Sequence, residues 1–287
     1  MIAHVAEAGE DRGRIVLQLC AATPSAVALA AAISLAEAYQ AEIEGVFVED
    51  EQLLDLARFP FARIVPARGG MARLVTHSDM ERELRHVATA VLHEVETLAR
   101  AAGLTVRGRV MRAAPSAALA TACAERGPWN LVVLADAFSP RDGHAIAGLL
   151  ESALQATGIV IVGPKARRTE GPIIIALEEA DRLSGMLHAA DRLAAASEER
   201  IIVALIGEDE AAIHLLEAQL RLLLGERNDI IIVAAEIARG EPAVAAEALR
   251  RLAGGFVIAQ FGRLVVPHTR DLTPLAAALE CPLFLVR

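Results

Sequence analysis

Few side chains in this sequence combine a type and a spacing that could carry out chemistry. Asp142 and His144 flank Gly143, but no serine or cysteine nucleophile motif accompanies them, because Gly-x-Ser-x-Gly is absent. A Gly-x4-Gly-Lys-(Ser/Thr) phosphate loop is absent as well. His86 and His93 are too far apart on one predicted helix for the i, i+4 spacing of a metal pair. We therefore expect a protein that is not an enzyme and holds no metal.

The best place for a ligand is the polar loop Asp136–Gly143. It follows Leu131–Leu134, an apolar run rich in branched residues that predicts a strand covered on both faces. Ala145–Ala156 then predicts a helix, and Ile159–Val162 predicts a second buried strand. Ligands of parallel α/β sheets bind outside the carboxyl ends of the strands. This loop is therefore where a site is expected, if the chain has one.

The rest of the chain repeats this alternation of strands and helices. Predicted strands cover residues 14–19, 42–49, 105–111, 131–134, 159–162, 172–177, 200–206, 229–235, 256–260 and 283–286. Two helix starts carry capping signals: Thr23 before Pro24, and Ser78 before the long helix Asp79–Ala102, which Gly103 ends. Alternating elements form parallel sheets through right-handed crossovers. We expect an α/β fold in which each half forms a five-stranded parallel sheet.

An internal repeat relates the two halves. Arg112-Ala-Ala-Pro115 matches Arg239-Gly-Glu-Pro242, and the arginines have the same offset as the prolines. Both motifs precede a predicted helix and then a buried strand. The first strands of the halves have a larger offset, by about the length of an apolar segment that only the first half contains. One fold is therefore used twice, with an insertion in the first copy.

With these motifs the chain resembles a tandem universal stress protein over residues 14–163 and 172–287. The resemblance rests on the proline that precedes a helix and a buried strand in each half, and on Cys281-Pro282 before the last strand. It implies two tandem Rossmann-like domains of the universal stress protein and nucleotide α-hydrolase type. Domain 1 would cover 14–163 with the insertion 50–78, and domain 2 would cover 172–287.

The nucleotide-binding branch of that family carries Gly-x2-Gly-x9-Gly-(Ser/Thr) after its fourth strand, where glycines admit phosphates and the hydroxyl binds them. In the first half, the glycine positions correspond to Ala135, Phe138 and Gly148, and the hydroxyl position to Leu149. Phenylalanine would block the approach of a phosphate, and leucine donates no hydrogen bond. The resemblance therefore implies the scaffold of a nucleotide site without its chemistry.

The second half departs further from the family pattern. Its fingerprint positions correspond to Gln260, Arg263, Thr273 and Pro274, so no glycine remains there, although Gly262 lies one residue away. Arg263, His268 and Arg270 give this loop a positive charge. The loop is either a solvated surface or a place where an anion binds.

The family also places an aspartate at the end of the first strand, against the adenine and ribose. Cys20 and Glu178 occupy those positions here. A thiol cannot accept hydrogen bonds as a carboxylate does, whereas Glu178 could. The other interpretations are an inert buried thiol and a solvated strand end.

Composition narrows the class of protein further. The net charge of −9 and the pI of about 5.4 argue against broad nucleic-acid binding. The longest apolar runs are too short to span a membrane, and residues 1–14 lack the apolar core of a signal peptide. Three widely spaced cysteines give neither a disulfide framework nor a zinc pattern. We expect a cytoplasmic protein with reduced thiols, whose basic run at Lys165, Arg167 and Arg168 is a solvated linker.

Two apolar features predict contacts with protein. Residues 50–78 form an apolar loop with many helix breakers, in which Phe59 and Phe61 flank Pro60. The loop either packs on its own domain or binds another chain, and we favour the second because such a segment suits projecting rings. The last strands, Ile159–Val162 and Leu283–Val286, have apolar edges that invite pairing. The resemblance implies that they pair with each other as an intramolecular pseudo-dimer.

The sequence thus favours a non-enzymatic regulatory or adaptor protein, without a cofactor, that acts through protein contacts as a homo-oligomer or with a partner. The alternative is a small-ligand sensor that binds ATP, AMP or another anion in one half. An enzyme of the nucleotide α-hydrolase group is the least favoured class, because no catalytic motif accompanies the fold.

Overall fold

Strands and helices alternate along the part of the chain that the computed structural model describes, which is residues 13–21, 25–65, 71–125, 130–135, 156–236, 242–260 and 273–286. The first half contains β1 Arg14–Leu19, α1 Ala26–Tyr39, β2 Glu42–Glu49, α2 Glu51–Leu56, β3 Arg63–Ile64, β4 Arg73–Leu74, α3 His77–Ala101, β5 Val106–Arg112, α4 Pro115–Ala124, β6 Asn130–Leu134 and β7 Gly158–Ile161. The second half contains β8 Ile173–Leu177, a 3-10 turn Ala180–Arg182, α5 Leu183–Ser197, β9 Ile201–Gly207, α6 Glu210–Leu224, β10 Ile230–Glu236, α7 Pro242–Arg251, β11 Phe256–Gln260, α8 Thr273–Ala278 and β12 Leu283–Val286.

One sheet of ten strands joins the two halves, in the order β10-β9-β8-β11-β12-β7-β6-β1-β2-β5. Within each half all neighbours are parallel, and the strands follow the same order. The halves meet where β12 and β7 pair antiparallel, with Phe284 opposite Val160. The predicted α/β class, the five parallel strands per half and the pairing of the closing strands are confirmed. The domain boundaries stay a prediction.

Apolar strands explain why this sheet is covered on both faces. Successive side chains of a strand point to opposite faces, and in β1 the side chains of Ile15 and Leu17 join one core layer while Val16 joins the other. Helices α1, α3, α5 and α6 cover the first layer, and α4, α7 and α8 cover the second. Across the junction, α1 of the first half packs against α5 of the second. None of the described helices is long and apolar enough to cross a membrane.

The N-terminal caps of α1 and α3 differ from the residues that the sequence predicted. Ser25 caps α1, since its hydroxyl accepts from the Ala28 N–H at 3.1 Å, whereas Thr23 and Pro24 lie outside the described residues. For α3, Ser78 was the wrong cap. The helix begins at His77, and the hydroxyl of Thr76 accepts from the N–H of Asp79, whose carboxylate accepts from the Thr76 N–H. This reciprocal capping box satisfies two N-terminal donors and moves the helix start two residues earlier.

The linker between the halves is docked on the second half, although Lys165 and Arg167 are exposed as the sequence predicted. The N–H groups of Arg167 and Arg168 donate to the carbonyl of Glu280, and the Arg167 guanidinium also donates to the Glu280 carboxylate at 2.6 Å. Nε of Arg168 donates to the carbonyl of Gly254 at 3.1 Å. These arginines therefore fix the linker to the second half.

The inserted segment is also more ordered than the predicted loop. Helix α2 packs on α3 and buries Leu54, and β3 pairs with β4 in a short antiparallel ladder. Ala57 and Val75, at the two ends of the part between α2 and α3, are buried. We call residues 56–75 the arm. The structure describes the arm except for residues 66–70.

Candidate functional site

The predicted ligand positions lie at two crevices, one in each half. In the first half, Cys20 and Ala135 follow β1 and β6, which are neighbours in the sheet. In the second half, Glu178 follows β8 and Gln260 ends β11, which are neighbours too. At both places the order of the strands reverses, and such switch points are where open α/β sheets bind ligands. The four residues therefore lie at the carboxyl ends of their strands, as the sequence predicted, and their binding of a ligand stays a prediction.

Four of the predicted site positions have described side chains. Ala135 packs against the apolar core. Cys20, the first residue after β1, is half-buried. Glu178 and Gln260 are half-buried as well. The other fingerprint positions, Phe138, Gly148, Leu149, Gly262 and Arg263, lie outside the described residues, as do His268 and Arg270. Over the described ranges, no group of three or more His, Cys, Asp or Glu side chains could hold a metal ion.

A charged clamp holds the two ends of the insertion at the carboxyl edge of the first half. Arg112, at the end of β5, donates to Glu49 through Nε at 3.0 Å and through Nη2 at 2.8 Å. The same Nη2 donates to Glu81 of α3 at 2.7 Å. The hydrogen bond from Arg112 holds the pKa of Glu81 below its usual value. Sequence reasoning found Arg112 only as a marker of the repeat.

The arm presents an apolar surface to solvent. The rings of Phe59 and Phe61 stack with their centroids 5.5 Å apart and an interplanar angle of 23°. Their exposed fractions are 50% and 74%. The other exposed apolar side chains of the arm are Leu56, Val65, Met71 and Leu74. The expectation that this segment projects its two rings is confirmed, whereas the binding of another chain stays a prediction.

A second exposed apolar surface lies on α6, and the sequence analysis missed it. Leu215, Leu222 and Leu223 are exposed, and Leu222 retains 85% of its accessible area. On the opposite side of the same helix, Ile213, Leu216, Leu220 and Leu224 are buried. The signal was present in the sequence, because a helix with leucines on all sides exceeds what one core face requires.

A buried polar cluster joins four strands near the amino edge of the first half. Arg14 is 2% exposed and forms an ion pair with Glu44, and its Nε donates to Oδ1 of Asn130 at 3.0 Å. Arg109 approaches the same carboxylate, with Nε 2.8 Å from Oε1 of Glu44, and also pairs with Glu125. Buried charges are tolerated when they are paired and hydrogen-bonded, as Arg14 is. Within the described residues, Nε and Nη2 of Arg109 are buried without a hydrogen-bond partner, so Arg109 is paired but only partly hydrogen-bonded. The cluster is therefore structural, and it fixes the alignment of β6, β1, β2 and β5.

A cleft of about 440 Å³ lies between the two halves. Ile15, Leu131 and Phe284 are among the apolar residues of its lining, and Tyr39, His188 and Arg192 provide polar groups. The Arg192 guanidinium lies over the Tyr39 ring at 5.2 Å, and its Nε donates to Nε2 of His188 at 3.1 Å. Burial raises the pKa of Tyr39 to about 12, partly opposed by Arg192. The contacts of Arg192 in this cleft are therefore with the Tyr39 ring and the His188 imidazole.

Solved structures share this architecture over nearly the whole chain. A universal stress protein from Archaeoglobus fulgidus matches with a TM-score of 0.64 at 14% identity, covering 96% of each chain. A functionally unknown protein from Pseudomonas aeruginosa matches with a TM-score of 0.58 at 13% identity, covering 96% of this chain and 93% of that one. The cytoplasmic domain of a prokaryotic cation chloride cotransporter matches with a TM-score of 0.53 at 10% identity, covering 96% and 95%.

The fold is therefore that of the universal stress proteins, as the sequence motifs predicted. Neither a family model nor a curated protein sequence matches this chain. Sequence identities of 10–14% show the fold alone, and the function depends on the surfaces of this chain.

Proposed function

We propose that this chain is a non-enzymatic regulatory protein of the cytoplasm that binds another protein through its arm and has lost the ATP site of its fold. The observation that carries this proposal is the stacked pair Phe59 and Phe61. Both rings are at least half exposed, although Ala57 and Val75 near the ends of the arm are buried. Contiguous exposed apolar surface marks interaction sites, and aromatic side chains dominate the energetics of protein interfaces. Burial of each ring would contribute about 2 kcal/mol.

Charge favours a partner with an acidic surface. Residues 56–78 contain four arginines and no acidic residue, although the whole chain has a net charge of −9. In the described structure, neither Arg63 nor Arg73 contacts a carboxylate. These two arginines lie on the paired strands β3 and β4, beside the exposed Leu74. An acidic surface with apolar side chains would complement the arm in both respects.

The test compares the double variant Phe59→Ser, Phe61→Ser with the wild type, each labelled with a fluorophore. Fluorescence-detected sedimentation is measured for the purified chain and for the chain in extract of the source cells. We expect the wild type to sediment faster than a monomer in at least one condition, and the double variant to sediment as a monomer in both. The control is Leu98→Ser, which removes an exposed leucine of α3 outside the arm.

Thermal stability should fall little in the double variant, because both rings are exposed. A large loss of stability with unchanged sedimentation would place the rings in the core of their own domain. A monomeric wild type in both conditions would also defeat the proposal.

The loss of the ATP site is tested by calorimetry. Ala135 offers only a methyl group where the family has its first glycine, and the sequence positions of Phe138 and Leu149 lack the remaining phosphate-binding groups. We expect no heat of binding for ATP up to about 1 mM, which corresponds to an affinity of about 4 kcal/mol. A micromolar dissociation constant would overturn this part of the proposal.

The second candidate function is that of a small-ligand sensor. ATP, AMP or another anion in one half remains the sequence-based form of this candidate, but the cleft between the halves favours it more directly. Its volume lies in the range typical of ligand sites. Its apolar lining and the Arg192 charge suit a molecule with an aromatic body and one anionic group.

Anilinonaphthalene sulfonate has that chemistry and serves as the probe. In the background of the arm double variant, Arg192→Gln is expected to weaken dye binding about tenfold, which corresponds to loss of about 1.4 kcal/mol. Arg182→Gln, at an exposed ion pair before the same helix, is the control. Equal affinity of the two variants would contradict a site in the cleft.

A further inference from the structure

The arm and the exposed face of α6 complement each other. We infer that the arm of one molecule binds α6 of a second copy, so that copies associate head to tail. This inference rests on the proposed function, because it names the partner of the arm.

Helix α6 has a second apolar face that its own core does not use. Leu215 and Leu222 are separated by two helical turns and therefore lie on one side, with Leu223 next to them. Ala211 and Ala218 lie on the same side and are also exposed. A soluble monomer rarely leaves such a stripe uncovered.

The two halves differ at this place in the fold. In the first half, the segment before α3 supplies α2, which packs on α3. Helix α6 occupies the corresponding position in the second half, between the second and third strands, but only Glu208 and Asp209 separate it from β9. The second half thus has the helix without the covering segment that the first half carries.

Charge agrees with a contact between the two surfaces. The arm contains four arginines and no acidic residue, whereas residues 208–229 contain six acidic residues and two arginines. Glu210, at the start of α6, is among the exposed acids. Opposite potentials on two apolar patches favour their association and fix its orientation.

Geometry favours a contact between two molecules. The arm follows β2, next to the edge strand β5, whereas α6 lies between β9 and the opposite edge strand β10. At about 4.8 Å per strand, the ends of this sheet are roughly 40 Å apart. The arm therefore begins far from α6 of its own chain, which favours a contact with a second copy. When the arm and α6 of one molecule bind two different neighbours, the contact is heterologous, and it produces rings or open chains of subunits.

The test uses two variants, and each removes one of the two surfaces that form the proposed contact between the arm and α6. Phe59→Ser, Phe61→Ser disables the arm, and Leu215→Glu, Leu222→Glu disables α6 at exposed positions. A milder helix variant, Leu222→Gln, serves if the double glutamate lowers the melting temperature. Sedimentation is measured on purified protein from about 1 µM to about 500 µM, the range of micromolar to weaker association.

We expect the mass of the wild type to rise beyond that of a dimer with concentration, while each variant alone stays monomeric. An equimolar mixture of the two variants should form dimers and nothing larger, because it retains one intact joint per pair. Arg63→Glu, Arg73→Glu should weaken association of the wild type at least tenfold at low salt.

Three results would overturn the inference: a monomeric wild type across the range, a helix variant that associates as the wild type does, or a mixture that stays monomeric. Association through the arms alone, or through the apolar edge strand β10, would leave the helix variant associated. In that case, if the arm variant is monomeric, the arm still binds protein and the proposed function stands. If the arm variant also associates as the wild type does, both fail.

Discussion

Replacement of Glu44 by glutamine should lower the free energy of unfolding by about 3 kcal/mol. Glu44 is 7% exposed, and its carboxylate faces the guanidinium groups of Arg14 and Arg109. Removing one partner of a buried ion pair costs about 3–5 kcal/mol, because the remaining charge stays buried without compensation. We expect the lower end of that range, since the amide oxygen of glutamine still accepts one hydrogen bond and Arg109 keeps its pair with Glu125.

The assay is urea denaturation followed by circular dichroism, with Glu42→Gln as the matched control. Glu42 lies on the same strand, and it forms an ion pair of 3.6 Å with Arg107, whose side chain is 60% exposed. Exposed pairs of this kind contribute less than about 1 kcal/mol. If Glu44→Gln costs no more than Glu42→Gln, the cluster is not the structural element described above and the reasoning fails.

Three further changes have defined outcomes. Gly163→Ala should cost about 1–3 kcal/mol, because a Cβ there would lie 2.0 Å from the carbonyl oxygen of Ala276; urea denaturation measures it. Because Arg112 lowers the folded pKa of Glu81, the stability that Glu81 contributes is present above about pH 4.3 and lost as pH falls through the folded pKa. The stability difference between the wild type and Glu81→Gln should therefore shrink below pH 4.3. Burial raises the pKa of Cys281 to about 12, so its thiol should resist aromatic disulfide reagents at pH 8 until the protein unfolds.

Each of these predictions has a control. Gly108→Ala meets only the movable side chain of Leu92, at 3.2 Å, so an equal loss of stability would contradict the argument from close backbone contact. For Glu81→Gln the reference is the wild type at the same pH, and a stability difference that stays constant below about pH 4.3 would contradict the argument. Cys20 is half-buried and should react first; labelling of Cys281 at the same rate would refute its protection by burial.

The sheet could be predicted well because most of its inner strands are buried on both faces and are continuous apolar runs. Arg14–Leu19, Glu42–Glu49 and Phe256–Gln260 have the predicted bounds. The cap of α3 was missed although Thr76-His-Ser-Asp79 has the spacing of a capping box. Ser78 lies closer to the apolar part of the helix but does not cap it, so the local sequence already contained the information that places the helix start.

The surfaces could be predicted only in part, for a different reason. The exposure of Phe59 and Phe61 follows from local composition, and the crevice positions follow from the order of elements. The ion pair between Arg14 and Glu44 depends on the register of β1 against β2, which the sequence does not state. The contact of Arg192 with Tyr39 depends on how the halves pack, and no local pattern connects residues so distant in sequence.

The antiparallel pairing of β7 with β12 has a consequence for concentration. Because a docked linker connects the two strands, each experiences the other at an effective concentration set by that linker, and dilution does not separate them. Two separate chains that paired through the same strands would dissociate at low concentration. A homodimer of that kind would also have identical edge strands at the two ends of its sheet. Because the halves are covalently connected, the pairing of β7 with β12 does not depend on protein concentration, and the two ends of the sheet can differ. Association that depends on concentration therefore involves other surfaces, such as those at the two ends of the sheet.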